Sequence, residues 1–523
     1  ACLPDEQLMS LMSRAEMLIS LLLALPCSSL ALALPGRSSR TPSDRRAPHA
    51  SLRLASPLQP AQAIAGHRLS QDYIAPPQGA GSTGWSAAAD PRLQAAGRAD
   101  TAKREVQREA TRAVLRVFFG GDSREGGVGE GSEGGVGEGS DGGGGGSRAT
   151  VVLPGGAGKT VLALRVAEAM HARGELRSAL VLVPSLALVT QTIKEWQFWG
   201  RGLETEHVLA VCSDADGAPF TTSPEEVERF LAAAAAERDA PALMVGTYTS
   251  HARVAEALAR RGARLDLLVC DEAHCTTGDT SKRDAQPLFD HTLPSRHRLF
   301  LSATPRLLGG EGELASMDDA ALYGPWAYRL ARGEAEELGL VAPLRLVLIN
   351  ATEAYLELTR RVPGLRVLLD EQAQSVSLEH AEQVLAVWDC YRQHGTTTAF
   401  TFHSNNSRAT RFQEAAESVL PVLAALEGDG AGFLAGRVHG RMPVGSRQQV
   451  LQPLGARGDA RLKIISNCRV LGEGVDVPAV DLVAFLDAKS SHVDILQSIA
   501  RASRVSPGKA YGHVLVMAGE DSL

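Results

Sequence analysis

Val151-Val152-Leu153-Pro154-Gly155-Gly156-Ala157-Gly158-Lys159-Thr160 is an apolar, β-branched run that breaks into glycines and ends in a lysine and a threonine. It reads as a strand feeding a phosphate cradle. Glycines at 155, 156 and 158 let successive backbone N–H groups and the N-terminus of a following helix converge on an anion. Lys159 is then placed to reach the β- and γ-phosphates of a nucleotide, and the Thr160 hydroxyl to hold Mg²⁺. Val161, Leu162, Leu164, Val166, Ala167 and Met170 recur at helical spacing and supply that helix. The first glycine of the general GxxxxGK[ST] pattern is missing, since position 153 is Leu. Taken alone, the stretch leaves open a glycine-rich turn that happens to precede a lysine.

Further along, the short buried-type strand Leu267-Leu268-Val269-Cys270 delivers Asp271-Glu272-Ala273-His274 at its carboxyl end, where an open parallel sheet binds ligands. Asp271 can hold Mg²⁺ through water, and Glu272 can orient and deprotonate an attacking water. Cys270 and Cys275 flank His274, but a zinc site needs a further ligand pair at characteristic spacing, and none is evident.

The 523 residues are 44% hydrophobic but only 5% aromatic, so the cores must be aliphatic, and the length suggests roughly two to four domains. A formal charge of −7 excludes a wholesale polycation while allowing basic residues to be confined to one groove. Seven scattered cysteines without a CxxC pair point to a reducing compartment. Residues 1–100 read as a targeting-like or disordered extension. Met17 to Pro35 is apolar but broken by Pro26, and an arginine- and serine-rich stretch resembling a transit segment follows. No stable membrane span is expected. The location is left as intracellular, with an organelle or the nucleus as alternatives. Residues 101–118 form an amphipathic helix with Val106, Ala110, Val114 and Phe118 on one stripe. A Gly-rich repeat fills 120–147 and should be a disordered loop. From 149 onward, apolar strands at 179–183, 243–245, 267–270 and 299–301 alternate with helices, and a second such series runs through 344–349, 398–402, 463–466, 482–486 and 513–516.

With these elements in place, the chain resembles the superfamily 2 helicases and translocases. Leu153 to Thr160 is similar to their motif I, which commonly lacks the first glycine, Val183 to Leu188 to motif Ia, Val245 to Tyr248 to motif Ib, and Asp271 to His274 to the DEAH form of motif II. Leu301-Ser302-Ala303-Thr304-Pro305 resembles motif III, Phe402-His403-Ser404 motif IV, Gly472 to Pro478 motif V, and Gln497 to Arg504 motif VI. Ala500 stands where Gly is usual before the motif VI arginine. The form of motif V and the Tyr323-Gly324 stretch resemble the restriction-enzyme-like branch, which includes the type III restriction enzyme Res subunit.

The resemblance implies an α/β fold of two tandem RecA-like domains, each a mostly parallel sheet flanked by helices, with residues 101–325 binding ATP, 326–380 linking the two and starting the second, and 381–523 forming the helicase C-terminal domain. It implies ATP and Mg²⁺ between the halves. Gly155, Gly156, Gly158, Lys159, Thr160, Gly474 and Asp476 would face the nucleotide and Gln107 would read adenine. Thr160 and Asp271 would hold the metal, Glu272 would serve the water, and Arg501 and Arg504 would meet the γ-phosphate. His274, Ser302, Thr304 and Gln497 would couple closure to a nucleic-acid groove lined by Ser185, Gly246, Thr247, Ser404 and Ser466. Such contacts bind phosphates with low sequence selectivity and high salt sensitivity. Trp196 and Trp199 are candidates for base stacking, with helix-face burial as the other reading. The expected function is an ATP-dependent translocase or helicase, on DNA in preference to RNA, served by further subunits or a C-terminal domain beyond Leu523. A truncated nucleotide-binding interaction module is the alternative.

Overall fold

The computed structural model describes residues 31–33, 91–120, 147–200, 208–236, 241–308, 314–350, 377–426, 432–442, 444–455, 460–468, 477, 480–487, 489, 491–506 and 508–518. The expectations for the Gly-rich tract, for most of residues 1–90 and for Gly474 and Asp476 lie outside these.

The first domain is an eight-stranded sheet built from β1 (Ser147–Val152), β2 (Ser178–Val183), β3 (Val208–Val211), β4 (Phe220–Thr221), β5 (Ala242–Thr247), β6 (Leu265–Cys270), β7 (Ser295–Ser302) and β8 (Trp326–Arg329), in the order β8-β1-β7-β6-β2-β5-β3-β4. Every neighbouring pair is parallel. A sheet parallel throughout must be covered on both faces, and alternate residues divide accordingly. In β2, Ala179, Val181 and Val183 enter one core while Leu180 and Leu182 enter the other. The helices that cover it include α1 (Pro91–Phe119), α2 (Lys159–Ala172), α3 (Leu186–Trp199), α4 (Pro224–Ala236) and α5 (His251–Arg261). On α1 the stripe Val106, Ala110, Val114 and Phe118 is buried against α2 and β1.

The second domain repeats the plan with β9 (Leu344–Asn350), β10 (Thr398–Phe402), β11 (Gly432–Val438), β12 (Ala460–Asn467), β13 (Leu482–Phe485) and β14 (Gly512–Ala518), ordered β9-β14-β13-β10-β12-β11 and again parallel, with Ala31–Ala33 beside β9. Helices α6 (Leu378–His394), α7 (Asn406–Leu426), α8 (Val444–Gly455) and α9 (His492–Ala502) accompany it. Phe400 and Phe402 face one core and Ala399 the other. Among the described residues no helix is long and apolar enough to cross a membrane.

One polar anchor sits under the first sheet. Arg298 of β7 is fully buried, and its guanidinium donates to the Pro287 carbonyl (3.1 Å), the Leu293 carbonyl (2.6 Å) and Asp290 Oδ1 (2.6 Å). Arg148 of β1 bonds the carbonyls of Leu288 and Leu322 and reaches the other oxygen of Asp290 at 3.4 Å. Removing one partner of a buried pair strands the other, so Arg298→Ala is expected to cost about 3–5 kcal/mol, read as a lowered urea midpoint. Lysine does not rescue it, because a point charge cannot serve three acceptors held in a fork.

Candidate active site

The strand order fixes where a ligand can lie. The chain leaves β1 and returns as β2 three places away, so β7 and β6 fill the gap, and their carboxyl ends open a crevice beside the end of β1. The phosphate loop rims it. Gly156 and Gly158 have φ of 90° and 94°, a region that costs an L side chain energy, and Gly158 caps the N-terminus of α2 without a side-chain bond. The loop thus presents its first-turn N–H groups outward, as an anion site requires. Trp196 of α3 is 1% exposed, and its indole N–H donates to the Thr160 carbonyl at 3.2 Å, which settles its burial. Trp199 remains 43% exposed beside Phe198.

Across the crevice, β6 ends in Asp271, whose N–H donates to the Leu182 carbonyl and whose Oδ1 accepts the Glu272 N–H at 2.9 Å. Glu272 has φ 49° and is the one non-glycine residue in the left-handed region among those described, a strained geometry of the kind that clusters at functional sites. Its Oε1 lies 3.2 Å from Lys159 Nζ. Its Oε2 is buried, makes no hydrogen bond among the described residues, and lies 3.5 Å from His274 Nδ1. Burial first, then the adjacent Glu272 charge, push the Asp271 carboxyl well up. Burial works against the Glu272 charge too, but Lys159, His274 and Arg501 hold this carboxyl below its usual range. Two adjacent buried carboxylates with only one lysine between them suit a divalent cation, with Thr160 and Asp271 as its natural holders.

From Glu272 the contacts run on. Burial lowers the His274 pKa, against the pull of the Glu272 charge. Its Nδ1 is 3.3 Å from Ser302 Oγ, which also accepts the Thr304 N–H at 3.1 Å. Its Nε2 meets the Gln497 amide nitrogen at 2.9 Å, so with the amide oriented that way Gln497 donates and the imidazole proton sits on Nδ1. Gln497 belongs to the second domain. On α9, Ile495, Ile499 and Ala502 are buried in the second core, while Gln497 and Arg501 lie one turn apart on another face, with Arg504 just beyond the helix end. That face meets the phosphate loop: a Cβ on Gly156 would lie 3.7 Å from Arg504 Cγ, and one on Gly155 would lie 3.0 Å from Ala500 Cβ.

Gln107 of α1 overlies the same loop. It is buried, and a Cβ on Gly158 would come within 2.6 Å of its Nε2 and 2.9 Å of Lys103 Cε. Lys103 was not singled out in the sequence; it lies one turn before Gln107 on the same helix, and that spacing was the available signal. Tyr248, the last residue of the motif Ib stretch, donates to the Asp271 carbonyl at 2.8 Å and ties that motif to motif II.

The expected nucleic-acid groove fares less uniformly. Ser185 Oγ is buried without a hydrogen-bond partner among the described residues, and Thr247 Oγ1 joins Thr249 and Ser250 in a hydroxyl cluster. The other three sit differently. Gly246 lies inside β5, where a Cβ would meet the Val211 carbonyl at 2.9 Å, so its glycine serves strand packing. Ser466 lies within β12, and its Oγ, like that of Ser185, is buried without a hydrogen-bond partner among the described residues. Ser404 is exposed, but its N–H and hydroxyl are spent on Asp487 at 2.8 and 3.1 Å, and Arg408 clamps the same carboxylate.

Comparison with known proteins agrees with the two-domain fold. Residues 101–307 match the family described as type III restriction enzyme, res subunit, and residues 382–506 match the helicase conserved C-terminal domain. A probable helicase of African swine fever virus (strain Badajoz 1971 Vero-adapted) is 27% identical over 334 residues, which are 62% of this chain and 33% of that protein. The chain therefore spans about a third of the length of the curated relatives it matches. Among solved structures, the ATP-dependent type ISP restriction-modification enzyme LlaBIII bound to DNA superposes with a TM-score of 0.61 at 22% identity, over 79% of this chain and 28% of that one. A nuclease-deletion mutant of LlaGI in complex with a DNA substrate mimic gives 0.53 at 22% identity, over 79% of this chain and 27% of that one.

Proposed function

We propose, from the membership of this chain in the restriction-enzyme-like branch of the superfamily 2 helicases, that it is a DNA translocase or helicase driven by ATP hydrolysis between its two RecA-like domains. The observation that carries this reading is the division of the site. The phosphate loop, Asp271 and Glu272 belong to the first domain, and Arg501 and Arg504 reach the loop from the second.

Each residue then has a task its position supports. The N–H groups opening α2 and the Lys159 ammonium take the β- and γ-phosphates. Thr160 and Asp271 would hold Mg²⁺, which when bound neutralises charge on the phosphate oxygens. Glu272, ionised and with Oε2 free of hydrogen bonds among the described residues, orients a water and accepts its proton. Arg501 and Arg504 stabilise the charge of the transition state, and only while the domains are closed. His274 and Gln497 report that closure across the interface. Preference for DNA is supported by the restriction enzymes of like fold described as bound to DNA or to a DNA mimic.

The test is steady-state ATP hydrolysis with single-stranded DNA, duplex DNA or RNA, for the natural chain and for Lys159→Ala. The reading expects DNA to stimulate turnover most and the lysine variant to lose it. A rate indifferent to nucleic acid and to Lys159 sinks it, and nucleotide binding without turnover marks a binding module instead. Gln497→Ala removes the hydrogen bond to His274. The ratio of stimulated to basal rate is then expected to fall about fivefold, the coupling one hydrogen bond of ~1 kcal/mol can carry. An unchanged ratio rules out that route.

A further inference from the structure

The phosphate loop and α9 meet where neither can yield a flexible side chain. An ideal Cβ on Gly155 would stand 3.0 Å from the Cβ of Ala500, inside the ordinary carbon separation of about 3.5–4.0 Å. The local backbone does not ask for glycine there. Gly156 and Gly158 have positive φ, and Gly155 is absent from that set. What asks for glycine at 155 is the methyl group of Ala500, on the other domain, at the position where the resemblance leads one to expect glycine.

Both sides are held. Ala500 lies between Ile499 and Ala502, which are buried against the second sheet, so α9 cannot roll aside. Gly155 follows Pro154, whose ring restricts its own φ, in a loop fixed by Leu153 N–H to the Ser302 carbonyl and Ala157 N–H to the Pro154 carbonyl, each 3.1 Å. A stiff contact of this kind acts as a gauge.

We propose that Gly155 and Ala500 are a matched pair, a methyl seated on a bare α-carbon, that sets how closely the second domain approaches the phosphates and so positions Arg501, the next residue. The proposal rests on the functional reading above. Gly155 and Ala500 are positioning residues: a methyl added at 155 pushes α9 outward by a few tenths of an ångström and withdraws the arginines, while the phosphate cradle itself stays intact.

The experiment compares G155A with G155A/A500G in the full chain. For G155A, kcat with duplex DNA is expected to fall about tenfold, a fraction of the hundredfold that a ~1 Å misplacement can cost. In A500V, which leaves the cradle glycine in place and enlarges only the α9 side of the contact, kcat should fall likewise while affinity for ADP, measured by titration, stays within about threefold, because only the transition-state contacts are moved. Removing the methyl of Ala500 from G155A should return kcat to within about threefold of the natural chain. Equal losses of kcat and ADP affinity in A500V, or a loss in G155A that A500G does not relieve, overturn the pairing. The contact is also read without turnover in G155C/A500C, where the 3.0 Å Cβ separation lies just below the disulfide range of about 3.5–4.5 Å and an outward shift of about half an ångström brings the pair into it. Oxidation with a nonhydrolysable ATP analogue and duplex DNA should yield an intrachain 155–500 disulfide, found by peptide mass spectrometry, and its absence also overturns the pairing. A natural chain that hydrolyses no ATP sinks the functional reading, while the cross-link still decides the contact.

Discussion

Glu272→Gln is expected to bind ATP and fail to hydrolyse it, with kcat lowered by about 10²–10⁴-fold, the usual contribution of a positioned general base. The substitution preserves shape, so the left-handed turn after β6 and the loop it supports should remain. What disappears is the anion. Glu272 is kept ionised inside the fold by Lys159, His274 and Arg501 against the cost of its burial, and its Oε2 is the atom left to meet a water. The same change relieves Asp271, whose carboxyl is pushed up partly by its charged neighbour, so nucleotide affinity should hold or rise. Phosphate release in the steady state, together with titration of a fluorescent ADP, separates the two effects. A variant that keeps a tenth of the natural rate would show that the base lies elsewhere.

Arg501→Ala and Arg504→Ala are each expected to reduce nucleic-acid-stimulated turnover by about 10³–10⁵-fold, the range in which arginines supplied to a phosphoryl transfer act. Binding of ADP to the first domain should change little, because these side chains arrive from the second. The double variant should be scarcely worse than either single one, since groups that act as a unit are not additive. Single-turnover rates with duplex DNA check this. Turnover near the natural rate in both variants would mean that the approach of α9 to the loop is packing alone.

Much of this arrangement was legible in the chain because it is written in short-range signals. The run from Val151 to Thr160 announces strand, turn and helix within a few residues, and Leu267 to His274 announces a strand ending in carboxylates. Alternation of strands and helices was enough for two parallel sheets. The strands that escaped notice, β3, β4, β8 and β11, are short or lie toward the sheet edges, where apolar runs are interrupted and the pattern weakens. Gly246 and Ser466 lie inside strands, and hydroxyls and glycines mark phosphate contacts and strand interiors alike. The clamp of Arg298 and Arg148 on Asp290, and the seat of Ala500 on Gly155, join positions that share no sequence signal.

The hydrogen bond from Trp196 to the Thr160 carbonyl has an optical consequence. An indole's emission depends on what its N–H donates to, and this one donates to the residue that starts the phosphate-binding helix. Loading of the loop is therefore expected to shift the emission of a native fluorophore, shielded from solvent, with no label attached. At the end of the same helix Trp199, exposed and edge-on to Phe198 at 4.9 Å, is open to aqueous quenchers. Helix α3 thus carries a signal and its reference on one rigid rod, and nucleotide occupancy becomes something that can be watched in real time.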